Sequence, residues 1–240
     1  MITERESHAT TAASVLPPSA DKAHAVESMF DRIAPRYDAL NRLFTFGLDS
    51  GWRRRAVRSL QLPRGSWVVD LACGTGDFCE ELTRAGLQPV GVDFAAGMLA
   101  RAHTHAPLLR ADILHLPFAD ASFDGATCGF ALRNVTDIGA CFAETARVIR
   151  PGGRAVFLEV TAPRNPLLRA GHSLYFNRVV PWVGARLSDG AAYRYLPASA
   201  AYLPEPAALV RLLAESGFSA VRRVVVGAGA AQLLIGTRAR

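Results

Sequence analysis

Val68-Val69-Asp70-Leu71-Ala72-Cys73-Gly74-Thr75-Gly76-Asp77 is the stretch that decides the fold. It reads as an apolar strand, a turn with two glycines, and a helix starting near Asp77. Glycine in such a turn admits positive φ and lets a ligand approach the backbone closely. The place is the carboxyl end of a first strand, where open α/β sheets bind their ligands. A dinucleotide fingerprint asks for a third glycine three residues on; that position is Cys79, so a pyrophosphate cofactor is disfavoured.

Outward from this loop, the runs WVVDLA, PVGVDF, LLRADI, FDGATCGF and RAVFLEV alternate with segments of helical character between Trp67 and Val160. Such alternation predicts a parallel sheet with helices on both faces. Downstream, PEPAALVRLLAESG reads as a helix, with Glu205 and Pro206 suited to its first turn and Gly217 to the position after its last. AVRRVVV and AAQLLIG then form an antiparallel pair at the sheet edge. The expectation is an α/β, Rossmann-like, mostly parallel seven-stranded sheet with an antiparallel last strand, carrying a helical N-terminal addition and a lid. Residues 1–23 read as a disordered leader and 24–240 as one domain. That domain divides into a helical cap (24–60), a cofactor-binding core (67–160), a lid (161–203), and a C-terminal helix with an edge hairpin (204–240).

The sharpest chemical pattern is a set of acids at successive strand ends, Asp70, Asp93 and Asp112. A carboxylate after the second strand accepts hydrogen bonds from both hydroxyls of a ribose. Asp112 after the third suits an exocyclic amine, with Ile113 packing on a purine ring. One acid at a strand end is commonly a cap or turn residue, but three beside a non-phosphate glycine loop describe an S-adenosylmethionine pocket.

Composition excludes several other chemistries. Lys22, in the leader, is the only lysine, which argues against a pyridoxal Schiff base, a phosphate-loop NTPase and a kinase-type ATP clamp in the folded region. Cys73, Cys79, Cys128 and Cys141 form no C-x-x-C pair and read as buried free thiols, and no histidine joins neighbouring acids in a metal constellation. The net charge of +6 and pI near 9.6 suit an anionic partner without selecting one. The absence of a long apolar run or a secretory signal predicts a cytoplasmic protein.

Several stretches together carry a family resemblance: MFDRIAPRYDALNRLFTFGLD followed by Trp52, VVDLACGTGD, GVDFAAGML, LPFADASFD, FALRNV, RVIRPGGRAVFLEV and AYRYLP. From about Val26 to Gly236 the chain resembles the class I methyltransferases of the ubiquinone and menaquinone pathway, the demethylmenaquinone C-methyltransferase family. The first, fifth and last of these stretches single out that family; the second, third and sixth are shared by methyltransferases generally. The resemblance implies that Thr75, Asp93, Asp112 and Ile113 contact S-adenosylmethionine, with Gly74 and Gly76 shaping the turn beside Asp70. It places Arg133, Asn134 and Tyr37 where the acceptor meets the methyl group. The reaction implied is ring-carbon methylation of a reduced demethylmenaquinone, the last step of menaquinone synthesis. An arginine would stabilise the phenolate, with a water or a histidine taking the proton. His172 is the one histidine given a substrate role.

The lid segment mixes Leu167, Leu168, Leu174, Tyr175, Phe176 and Trp182 with Arg164, Arg169, Arg178 and Arg186. It suits an isoprenoid tunnel, a docking helix on anionic lipid at the inner face of the cell membrane, or a helix packed on the sheet. The chain departs from the family at Gly129, where a serine is usual, at Glu159-Val160-Thr161, and at the terminal hairpin from Val226. The alternative is therefore a paralogue acting on another aromatic or polyketide-like acceptor. A nucleic-acid substrate is not expected, because the Asn/Asp-Pro-Pro-aromatic motif is replaced by Phe130-Ala131-Leu132-Arg133-Asn134. A homodimer is compatible with the sequence but not indicated by it.

Overall fold

The computed structural model describes residues 22–187, 192, 195, 198–200 and 202–240. The expected leader lies outside the described residues as far as position 21, and the first helix already includes Lys22. The cap consists of α1 (Lys22–Ile33), a 3-10 turn at Ala34–Arg36 that places Pro35 near its start, α2 (Tyr37–Phe44) and α3 (Leu48–Leu60). The core runs β1 (Trp67–Leu71), α4 (Asp77–Arg84), β2 (Gln88–Asp93), α5 (Ala96–Leu99), β3 (Leu108–Arg110), β4 (Phe123–Gly129), a 3-10 turn (Leu132–Asn134), α6 (Ile138–Val148) and β5 (Ile149–Val160). Then come α7 (Pro166–Leu174), a π turn (Tyr175–Val179), α8 (Val180–Leu187), α9 (Pro206–Glu215), β6 (Phe218–Val226) and β7 (Ala231–Arg238).

Among the described residues the seven strands form one sheet of order β3-β2-β1-β4-β5-β7-β6, in which only β7 runs against the rest. The chain winds outward from β1 to β3 and returns to β4 beside β1, which opens a crevice above the carboxyl ends of these two strands. The last strand lies inside the sheet between β5 and β6, because Ala231 through Gly236 are buried without interruption and need cover on both sides. The edge belongs to β6.

Side-chain alternation along β5 divides the core. Phe157 joins Phe142, Leu209 and Leu213 under α6 and α9, while Val156 and Leu158 join Val57, Leu60, Phe78 and Leu82 under α3 and α4. A third cluster fastens the cap to the lid through Met29, Ile33, Leu40, Val180, Ala192 and Tyr195. All four cysteines are buried and free.

Candidate active site

At the crevice a cavity of about 160 Å³ is walled by Ala72 and Gly74 of the glycine turn, Asp93 and Met98, Asp112 to Leu114, and Gly129 to Ala131. The turn needs its glycines: Gly74 has φ +58° and Gly76 φ +95°, and a Cβ on Gly76 would stand 2.6 Å from Cγ2 of Thr104. Asp93 ends β2 with both oxygens pinned. The Gly74 N–H donates to Oδ2 at 2.7 Å and the Ala95 N–H to Oδ1 at 2.8 Å. Each oxygen keeps a further acceptor direction, the arrangement two ribose hydroxyls require. Burial pushes the Asp93 carboxyl up, against the downward pull of the backbone donors Ala95, Gly74 and Phe94. Asp112 is half-exposed and accepts from the Leu114 N–H at 2.9 Å, with Ile113 buried next to it.

Two residues expected at the cofactor line a second, smaller space that shares Tyr37, Ala72, Gly74 and Gly129 with the first. Asp70, 1 % exposed, accepts from Oγ1 of Thr127 at 2.8 Å and from the Cys79 thiol at 3.6 Å, and burial pushes it up to about 7. Thr75 donates its hydroxyl to Oδ1 of Asp38 at 2.7 Å, so its side chain clasps the cap. Both line a niche of about 30 Å³ with Arg53, Asp77 and Tyr37. His103 lies in the loop beyond α5, where its N–H donates to the Thr75 carbonyl at 3.0 Å and its ring sits 3.3 Å from Asp77 and 3.7 Å from Asp38. That loop is drawn back along the glycine turn by the packing of Thr104 on Gly76.

The third space, about 200 Å³, lies between the cap and the lid and is lined by Phe44, Phe46, Trp52, Phe130, Arg133, His172, Tyr175, Phe176 and Val180 among others. Tyr37 and Phe130 line both this cavity and the one at the crevice. Phe130 holds φ +58° immediately after β4, a costly conformation for a non-glycine residue that turns its ring between the two spaces. Arg133 is nearly buried, and its Nη1 donates to Oε1 of the fully buried Glu159 at 2.6 Å. Asn134 lines the crevice cavity, and its Oδ1 accepts from the Tyr195 hydroxyl at 3.2 Å, which joins two residues of the stretches that carry the resemblance. Burial pushes the Tyr37 phenol up, against the opposing influences of Asn41, Arg133 and Arg53. His172 stacks on Phe176, and burial lowers its pKa, favouring the neutral ring.

Gly129 has a steric reason. A Cβ there would stand 2.7 Å from the Phe78 ring, so the position usually held by serine in the resembling family is closed by Phe78. Sequence reasoning missed Arg53, which pairs with Asp49 and reaches Oδ2 of Asp77 at 3.0 Å, tying α3 to the start of α4. The i,i+4 spacing of Asp49 and Arg53 was the available signal. It also left Glu159 without a role, although that acid orients Arg133.

The ubiE/COQ5 methyltransferase family model matches residues 19–238. A demethylmenaquinone methyltransferase of Roseiflexus sp. (strain RS-1) is 47% identical over 233 residues, covering 93% of this chain and 98% of that one. One from Deinococcus radiodurans is 45% identical over 208 residues, covering 82% and 86% respectively. In fold, the chain resembles the crystal structure of a possible histamine N-methyltransferase from Thermotoga maritima, with a TM-score of 0.63 at 20% identity, over 88% of this chain and 98% of that one. The sheet order, the glycine turn with Asp93 beside it, and near-full-length matches at this identity agree: the chain belongs to the ubiE/COQ5 methyltransferase family.

Proposed function

We propose that the protein transfers a methyl group from S-adenosylmethionine to the ring carbon of demethylmenaquinol, giving menaquinol. The observation that carries this is the junction at Tyr37 and Phe130, where a polar-ended crevice meets an apolar cavity large enough for an aromatic ring system. The crevice residues fit the cofactor. Asp93 offers two acceptors for ribose hydroxyls, Ile113 and Leu114 offer an apolar wall for the purine, and Asp112 offers an acceptor for its amine. Gly74 and Gly129 present backbone to the remainder, and Asp70 and Thr75 line the adjoining niche.

When bound, S-adenosylmethionine supplies an electrophilic methyl on a sulfonium. The protein's own work is to align the acceptor in line with it, which positioning can make worth about 7–11 kcal/mol, and to raise the acceptor's nucleophilicity. Arg133 faces the acceptor cavity with its orientation set by Glu159, and it stabilises the phenolate that places electron density on the neighbouring ring carbon. Arginine does not serve as a general base, so another group must take the hydroxyl proton. His172, in the same wall with burial favouring its neutral form, takes that role, while Tyr37 and Asn134 orient the ring. After transfer the ring carbon gives up the hydrogen that the methyl replaces, and the phenolate oxygen regains a proton, which restores the aromatic quinol. The acceptor's isoprenoid tail belongs to a lipid phase. No described helix is long and apolar enough to cross a membrane. We propose a cytoplasmic enzyme that meets the inner face of the cell membrane peripherally, where that tail lies.

The test is transfer from labelled S-adenosylmethionine to chemically reduced demethylmenaquinone, followed by product mass. A gain of one methyl on the ring supports the reading. Cofactor binding without product, together with methylation of another aromatic ring, overturns the acceptor assignment while leaving the methyltransferase intact.

A further inference from the structure

From Pro166 to Leu187, α7, the π turn and α8 run as one helix, since Leu174 and Val180 at the junctions keep α-helical angles. Asn165 caps its start, accepting from the N–H groups of Leu167 and Leu168. Its inner face, His172, Tyr175, Phe176 and Val180, lines the acceptor cavity. A surface helix would ordinarily be polar on the opposite face. Here that face carries Leu167, Gly171, Leu174, Arg178, Trp182 and Arg186, spaced three or four residues apart and all exposed. The π turn absorbs the residue that would otherwise rotate this stripe around the helix. Leu167 is 82 % exposed, Leu174 63 % and Trp182 61 %, and the Arg186 guanidinium lies 3.8 Å from the centre of the Trp182 ring. Phe46, 74 % exposed at the end of α2, continues this surface across the cavity mouth, with its ring 5.5 Å from that of Tyr175.

Charge selects the occupant. Residues 161–187 hold Arg164, Arg169, Arg178 and Arg186, one histidine, and no aspartate or glutamate. Leucine, tryptophan and arginine on one helix face, without acids, match an interface of acyl chains below and phosphates above. We infer that the outer face of this helix docks on an anionic lipid bilayer and brings the mouth of the acceptor cavity to the membrane surface. The inference rests on the quinol reading only for its purpose; the surface itself is argued from exposure and charge. Arg178 and Arg186 meet phosphates, Leu167, Leu174 and Trp182 enter the acyl boundary, and Phe46 marks where a lipid tail passes inward.

The test is co-sedimentation with vesicles of phosphatidylcholine alone and of phosphatidylcholine with phosphatidylglycerol, at low and high salt. The full chain should bind the anionic vesicles at low salt. Arg178→Gln with Arg186→Gln should weaken binding roughly thirtyfold. Leu167→Glu with Leu174→Glu and Trp182→Glu should abolish it. None of these side chains lines the described cavities, so the triple variant should keep its thermal midpoint and its methyl transfer to a short-tailed, water-soluble quinol. Equal binding of the triple variant and the wild type overturns the inference. So does a wild-type dimer in lipid-free solution that the triple variant turns into monomers, which would make the face a contact between copies of the chain. Vesicle binding by a protein that methylates no quinol would retain the docking face and remove the acceptor assignment; methylation without vesicle binding would do the reverse.

Discussion

The crevice cavity and the acceptor cavity share two walls, Tyr37 and Phe130, yet they are built in opposite ways. The crevice is assembled mainly from the ends of neighbouring strands. Its polar contacts run between backbone N–H groups and a carboxylate, as Asp93 does with Gly74 and Ala95. The acceptor cavity is assembled from α2, α3, the turn after β4, the end of β5 and the lid helix, and its walls are mostly side chains. A site made of backbone at a topological switch point changes little when side chains change. A site made of side chains from distant segments can be reshaped one residue at a time. On the proposed reading, the family's common chemistry sits in the first and the choice of acceptor in the second.

The comparison breaks first at Glu159. The acceptor side depends on a buried ion pair, and Glu159→Ala would leave the nearly buried Arg133 charge without its carboxylate. The expected loss is about 3–5 kcal/mol in urea unfolding, smaller for Glu159→Gln, which keeps the shape. A loss under about 1 kcal/mol would mean that water reaches Arg133 and that this wall is no more side-chain-dependent than the crevice. On the crevice side, Asp93→Ala removes a charged acceptor for two hydroxyls, at about 1.5–3 kcal/mol each. Calorimetry should show cofactor affinity falling at least about a hundredfold. Unchanged affinity would remove Asp93 from the ribose assignment.

Gly129 tests whether the crevice wall tolerates the serine that the family resemblance leads one to expect there. Serine there meets the Phe78 ring, so Gly129→Ser should cost about 1–3 kcal/mol of stability and weaken cofactor binding. Phe78→Leu in the same chain should recover part of both. If the single variant is as stable as the wild type, Phe78 moves freely and the departure at this position has no steric cause.

The same difference in construction governs what could be read before the structure was known. The glycine turn, Asp93, Asp112 and Ile113 were legible because each lies at a strand end within one alternating pattern, and local sequence reports local backbone. The seven strands were legible for the same reason. What escaped depends on burial of residues that look alike in sequence: Arg53 is buried between Asp49 and Asp77 while its neighbours Arg54 and Arg55 are exposed. Glu159 was noted only as a departure in its neighbourhood, since nothing along β5 announces that it faces the turn holding Arg133. The loop after α5 is held by Thr104 against Gly76, a tether to another segment that leaves no local signal. Asp70 at the strand end and Thr75 in the turn were legible in the same way, but their partners Thr127 and Asp38 lie in other segments and leave no local signal.

The smallest expected effect lies where the cap meets the glycine turn. Oδ1 of Asp38 accepts the Thr75 hydroxyl at 2.7 Å, and its other oxygen stands 3.7 Å from the His103 ring, so one cap residue holds the crevice wall closed from the α2 side. A partly buried hydrogen bond of this kind is worth about 1 kcal/mol net, roughly a fivefold change in a rate that must break it. Asp38→Ala should therefore speed cofactor dissociation about fivefold in stopped-flow displacement, with the quinol-side KM nearly unchanged. Thr75→Val should do the same, and the double variant should add little, because the two substitutions remove one bond. Additive effects would show that Asp38 and Thr75 act on the cofactor separately, and the crevice would then depend on cap side chains in the way the acceptor cavity does.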